Sequence, residues 1–409
     1  AWPQSEGLPP DLLHLSRIKL TMAKEIGRTA NYTCLQTIER SRASKAGKLR
    51  HFDTLRLEVA FVDGKELFSW PGANRFDDRK INEIVQAGTI ASGMFLAFAR
   101  TVFQNRWPTY RFLGEQEWEG RRAIRFDYDV PLMGSGYHLS IDRREATVPF
   151  SGSFWADPVT HDVLRLLVRG VDLPPELGLA DITQTIDYAR VRIGESDLLL
   201  PNRAETYTEM LFGERTRNVT TFSGFREYRG ESTLSFEITE TAPAAPAKVI
   251  ERLDLPPGLA VAVRLETAID SRTAIVGDVL AGKVERAAKT GGQVVVPAGA
   301  VLSGRLRWLE KLTGPVSMYL VGIEFDQLQF GNKAGRFLAD LEEIVDASGR
   351  TARYSPHSVT IRREDRQERR TETIRQLPYM PGVGWFTVRG DPIRVQPGLR
   401  IWWKTQPLR

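Results

Sequence analysis

The chain has 409 residues, of which 42% are hydrophobic and 26% charged, with a formal net charge of +5. That composition is ordinary for a globular protein, and the length exceeds what one hydrophobic core usually supports, so two domains are expected. A single cysteine, Cys34, excludes an internal disulfide and a thiolate zinc site.

The charge is uneven. From Pro257 onward, 23 lysines and arginines face 16 acids, which is +7 and leaves −2 for the preceding residues. Such a basic part could meet anionic lipid, glycan or nucleic acid; a solvated basic face is the plainer reading, and no nucleic-acid partner is expected. The opening Ala1-Trp2-Pro3, without Met, fits an exported protein after removal of its leader. The longest uncharged run, Ile84–Ala99, is 16 residues long and contains Gln86, Gly88 and Thr89. It is too short and too polar to span a bilayer, so no transmembrane segment is expected.

Leu12, Leu15, Ile18, Met22 and Ile26 recur at helical spacing, with Asp11 placed to cap the start and Gly27 to stop the helix. Tyr32–Ile38 reads as a strand that buries an inert Cys34. Leu55, Leu57, Val59 and Phe61 alternate with polar residues, and Asp63-Gly64 turns the chain into Glu66–Trp70. Arg79–Phe103 returns to helical spacing through Ile81, Ile84, Val85, Gly88, Ala91, Phe95, Phe98 and Val102. Met94, Leu96 and Phe103 widen its apolar surface, so this helix must be covered on most sides, for instance inside a curved sheet.

Strands follow at 124–130, 152–156, 163–169, 182–193, 203–211 and 216–228, the second and third joined by Asp157-Pro158-Val159-Thr160-His161. A Pro/Ala-rich stretch, 239–254, reads as a linker between a domain at 1–238 and a second at 255–409. The second domain alternates between Pro/Gly turns at 261–265, 279–284, 294–296, 301–309, 317–329, 335–345, 385–388, 393–395 and 399–405, which is the pattern of a small β-barrel. Arg362–Arg375, with six arginines and four acids, reads as an exposed loop or helix.

No motif carries convincing chemistry. Gly277–Val284 nearly matches a phosphate-binding loop, but Val284 stands where Ser or Thr must hold magnesium, and the segment alternates as a strand. Ser16 and Lys19 have the spacing of an acyl-transfer pair without a second motif. His14, His51, His138, His161 and His357 lack metal-ligand spacing. His161 beside Asp157 and Asp162 is the best single candidate for acid–base work. Trp70, Trp107, Trp118, Trp155 and Trp308 lie in strand-like segments, where core packing is expected. Asn31-Tyr32-Thr33 and Asn218-Val219-Thr220 match glycosylation sequons that arise often by chance.

The order helix, strand, hairpin, lipophilic helix and meander, with Phe154-Trp155-Ala156-Asp157-Pro158-Val159-Thr160 and Arg165 in its middle, resembles the LolA/LolB-like lipoprotein-carrier fold over about residues 10–236. The resemblance implies an incomplete β-barrel around helices that holds acyl chains through apolar side chains. The positions corresponding in kind are Ile84, Ala91, Met94, Phe95, Phe98, Val102 and Phe103. In the second domain, Leu255–Gly258, Gly277-Asp278 and Val296–Gly304 resemble the β-barrel of TrbI-type conjugation and secretion proteins. Both resemblances imply a bacterial envelope location, periplasmic or extracellular.

The reading is therefore a mainly β, two-domain exported protein: a curled antiparallel sheet around helices, then a smaller β-barrel. It binds a lipid, lipoprotein or apolar ligand in the first domain and an envelope partner or a second copy through the second. No catalysis, cofactor or metal is expected. The rivals are a self-assembling or cell-surface scaffold without a small ligand, and a hydrolase using His161 with Asp157 or Asp162.

Overall fold

The computed structural model describes residues 9–28, 31–45, 47–62, 65–73, 76, 81–85, 88–91, 96–141, 144–228, 251–312, 317–345, 351–353, 358–364, 370–377 and 380–407; for 351–376 only the backbone is described. The chain divides into two compact units, Ala1–Phe52 with Leu57–Thr233, and Asp53–Arg56 with Leu234–Arg409. Most of the expected linker, and the Asp63-Gly64 turn, lie outside the described residues.

The first unit begins with α1, Pro10–Arg28, which buries Ile18, Met22 and Ile26 along one stripe and leaves Leu12 and Leu20 exposed. Asp11 sits in its first turn rather than capping it, where a carboxylate still favours the positive end of the helix. Gly27 lies inside the helix, one residue before its end.

Among the described residues twelve strands follow: β1 Tyr32–Ala43, β2 Arg50–Val62, β3 Lys65–Ser69, β4 Thr109–Trp118, β5 Arg121–Val130, β6 His138–Ile141, β7 Arg144–Thr147, β8 Phe150–Ala156, β9 Val163–Gly170, β10 Leu179–Ile193, β11 Ser196–Met210 and β12 Arg215–Glu227. Ten of them form one curled sheet in the order β3-β2-β1-β12-β11-β10-β9-β8-β5-β4, and β6 and β7 pair as a separate hairpin. Closure between β1 and β12 brings the two chain ends of the meander side by side. The sheet stays open between β3 and β4. In β4 the register with β5 shifts between Phe112 and Gly114, and Gly114 takes a left-handed φ of +90°.

The helix expected over Arg79–Phe103 is not continuous. Helical backbone occurs at Ile81–Ile84 and at Ala97–Ala99, the latter widening into a π-helical turn at Arg100–Gln104. Gly88 stands at φ +75°, a left-handed conformation that no α-helix accommodates, and residues 89–91 are irregular. The apolar period is real, but it arises because the segment is surrounded on many sides, which a helix does not require.

In the second unit a ten-stranded sheet is built around Met318–Phe330, Val301–Leu312, Val279–Val284, Ala260–Leu265, Arg400–Thr405 and Ala339–Val345, neighbours in that order. Val383–Arg389 pairs with Met318–Phe330 at one side, and its Gly384 lies against Leu341 and Trp403 from the other side, so the sheet rolls into a barrel. The last strand, Arg400–Thr405, occupies an interior position between two partners. Gly277–Val284 is a turn leading into a strand, with none of the helix a phosphate loop needs. Ser358–Glu364 and Arg370–Gln376 form a β-hairpin, which corrects the loop or helix expected at 362–375.

Candidate ligand-binding site

Residues directly opposite in an antiparallel sheet point to the same face, so the register of the first unit gives its concave surface row by row. One row runs Ile38, Thr220, Ala204, Ile186, Leu166, Phe154, Phe126, Phe112 from β1 across to β4. It is almost wholly apolar, and its far half is aromatic. Phe126 stacks on Phe154 at 5.3 Å between ring centroids.

The adjacent row is different. Arg40, Asn218, Thr206 and Gln184 follow one another across β1, β12, β11 and β10, and then Val168, Gly152, Tyr128 and Tyr110 continue to β4. The four polar residues are each at most 5% exposed. The next row adds Thr216 and Thr208, whose hydroxyls lie 2.6 Å apart. Beside the apolar row, one side of the concave face is therefore lined by polar residues and the other by aromatic ones. Gly152 is required where the halves meet the wall: a Cβ there would strike the Leu167 carbonyl that accepts the Tyr128 hydroxyl at 2.7 Å.

Among the described residues, two segments between β3 and β4 lie on this face. The Ala97–Gln104 segment lies on the aromatic half: Phe103 meets Phe154 edge-on at 5.0 Å, and Phe98 meets Phe150 at 5.7 Å and Tyr137 at 5.1 Å. The Tyr110 hydroxyl donates to the Val102 carbonyl. The irregular Gly88–Ala91 segment lies on the polar half. Asn218 Nδ2 donates to the Thr89 carbonyl at 2.7 Å, and the Thr216 hydroxyl donates to that of Thr89 at 3.2 Å. Gly88 is so close that a Cβ would lie 2.6 Å from an Arg40 guanidinium nitrogen. Burying a donor without a partner costs about 1–3 kcal/mol, so these contacts hold the segment down.

At the opposite end of the strands, α1 is held by a charged cluster. Glu25 accepts from the Leu199 amide at 3.2 Å and pairs with Arg190 at 3.2 Å, and Arg190 bonds Asp162 through both Nε and Nη2. These bonds, foremost the one to Asp162, hold the Arg190 guanidinium well above its ordinary pKa. His14 Nδ1 faces His161 Nε2 at 3.4 Å. Burial, then His14 and Arg17, lowers the His161 pKa from its ordinary 6.5.

Of the residues singled out from the sequence, Phe98, Val102 and Phe103 lie buried on the concave side, Ile84 is buried in its short helix, and Ala91 is half-buried beside the polar row. Met94 and Phe95 lie outside the described residues. Asp157 and Asp162 do not serve His161: Asp157 Oδ1 accepts from the Val159 and Thr160 amides, and Asp162 is committed to Arg190. Cys34 is buried, and burial pushes its thiol up to about 12, the setting of an inert side chain. Asn218 is buried in the concavity, so its sequon is a chance match.

The tryptophans depart from expectation. Trp308 is buried, but Trp118 and Trp155 lie half-buried on the outer face, under the guanidinium groups of Arg165 and Arg125 at 5.2 and 5.0 Å. An indole under an arginine needs only one apolar side.

The polar row was not anticipated. A signal for it existed: Gln184 stands between Ile182 and Ile186, and Arg40 two residues after Ile38, so strand alternation alone puts both on the apolar face.

An open, curled antiparallel sheet whose hollow is filled by helical segments defines the class, and it matches the incomplete barrel that the resemblance to LolA/LolB-like carriers implies. The chain is similar to several solved structures over about half of its length. A DUF1329 family protein from Desulfovibrio piger matches at 14% identity over 56% of this chain and 98% of its own, with a TM-score of 0.29. A domain named for outer membrane lipoprotein sorting, from Vibrio parahaemolyticus, matches at 11% identity over 53% of this chain and 93% of its own, TM-score 0.30. A LolA superfamily protein from Nitrosomonas europaea matches at 12% identity over 54% and 94%, TM-score 0.28. No family model and no curated protein matches the sequence.

Proposed function

We propose that the first unit is a non-enzymatic carrier that holds an acyl chain or other apolar ligand against the aromatic half of its concave face, in a bacterial envelope outside the cytoplasmic membrane. The observation that carries this reading is the filling of the hollow. Phe98, Val102 and Phe103 occupy the aromatic wall where a ligand would lie, and they belong to a segment whose helix is broken at Gly88 and which bonds the polar half of the sheet through Thr89. A segment so attached can leave, and the wall it uncovers is chemically suited to hydrocarbon. Ile84, Ala91, Met94 and Phe95 complete the set of side chains we assign to contact with the ligand. Among the described residues no helix is long and apolar enough to cross a membrane.

The second unit is read as a docking barrel for an envelope protein, in keeping with its likeness to TrbI-type barrels, and 239–254 as the linker that makes the two units separable domains. Limited proteolysis should cut first between Thr239 and Lys248; first cleavage within Leu55–Phe61 or Val279–Val284 would move the boundary.

Native mass spectrometry of the full chain purified from its own host tests the carrier reading. A bound lipid mass is expected. Protein that carries no lipid and does not change the fluorescence of the apolar probe N-phenyl-1-naphthylamine is no carrier.

A further inference from the structure

We infer that the polar half of the concave face is a headgroup site, and that the ligand is a single amphiphile whose oxygen-bearing head, a carboxylate or an acyl ester, lies inside the hollow on Thr206, Gln184 and Asn218 beside Arg40. The inference rests on the carrier reading and specifies what is carried.

Three observations converge on it. First, the four polar residues form one uninterrupted row across four strands, in register with the apolar row beside them, whose far half is aromatic. A head on this row leaves its chain along Val168 and the Phe154–Phe126 wall. Second, when the Gly88–Ala91 segment lifts, Asn218 Nδ2 and the Thr216 hydroxyl lose Thr89. Hydrocarbon cannot replace those bonds, whereas carboxylate or ester oxygens can, and a site built to hydrogen-bond a group rejects analogues that lack it.

Third, Gln184 Oε1 and Gln36 Oε1 are buried without a hydrogen-bond partner among the described residues. A vacant carboxamide oxygen on the inner face is unexplained by the fold and can accept from the hydroxyl of a protonated carboxyl head. A hollow meant only for acyl chains has no use for these groups.

The test uses the full chain, N-phenyl-1-naphthylamine as an apolar reporter of the aromatic half, and palmitate as the competing amphiphile. The double variant Thr206→Val with Gln184→Met removes two head contacts that the covering segment does not use, at nearly constant volume. It should bind the reporter as the unaltered protein does and require at least tenfold more palmitate to displace it. Thr206→Ser, which keeps the hydroxyl, should compete as the unaltered protein does, separating a lost hydrogen bond from altered packing.

If the double variant binds both compounds unchanged, the headgroup site is wrong and the carrier reading stands. If neither compound binds the unaltered protein, the carrier reading fails and the headgroup site with it.

Discussion

The two units bury polar groups for different ends. In the barrel of the second unit the core is aromatic: Trp403 meets Phe325 edge-on at 5.8 Å, and Trp308 meets Trp385 at 5.4 Å. Two of its buried polar side chains, Glu310 and Thr405, are tied to fixed partners. Glu310 accepts from the Trp308 indole at 3.1 Å, and Thr405 bridges the Pro256 carbonyl and the Leu259 amide. In the concave face of the first unit, Asn218 and Thr216 instead bond Thr89 of the irregular segment that we propose gives way to a ligand. Polar groups with fixed partners specify a fold, whereas those whose partner can leave are available to a ligand.

That contrast can be broken by mutation. The largest effect is expected in the barrel, where Trp403→Ala should destabilise the second unit by about 3–5 kcal/mol, read from denaturant unfolding. Phe103→Ala should cost the first unit about 3 kcal/mol, at the lower end for such a truncation, because the covering segment can settle into the space. Thr206→Val should change stability by less than about 1 kcal/mol, in either direction, although it contributes to the loss of palmitate competition. A cost for Thr206→Val near that of Trp403→Ala would make the concave polar row a structural element and erase the difference between the units.

A subtler effect concerns pH. His161 is neutral in the folded chain, with a pKa held below 6.5, so the unfolded chain binds more protons as pH falls through that value. Stability of the first unit should therefore be constant above about pH 6.5 and decline below it. His161→Asn should flatten this decline, and asparagine also accepts the left-handed φ of +60° at that position. A slope unchanged in this variant would exclude the histidine pair as its source. The smallest effect is chemical: the thiol of Cys34 should stay unlabelled by a disulfide reagent at neutral pH until the unit unfolds.

Strand alternation carried most of the architecture in legible form. Val279–Val284 and the β8–β9 pair around Asp157–His161 fall where the apolar/polar period and turn chemistry put them. Two segments were illegible for physical reasons. At Arg79–Phe103 an apolar period of helical spacing was produced by burial on many sides, and Gly88, which breaks the helix, looked like one more small residue on the stripe. At 362–375 six arginines and four acids hid the strand character of the two paired segments. The aromatic half of the site was readable through Phe98, Val102 and Phe103. The polar half was not, because Arg40, Gln184, Thr206 and Asn218 become neighbours only through sheet register.

The irregularity in β4 bears on how the protein behaves at high concentration. A half-barrel offers the hydrogen-bonding groups of its terminal strands to any other strand, including one from a second copy. The shift at Phe112–Gly114 kinks β4, and Arg111, Glu115 and Glu117 place charge of both signs along it. Such a strand is a poor template for continued pairing. The sheet can thus present this open edge without readily pairing it with the same edge of a second copy.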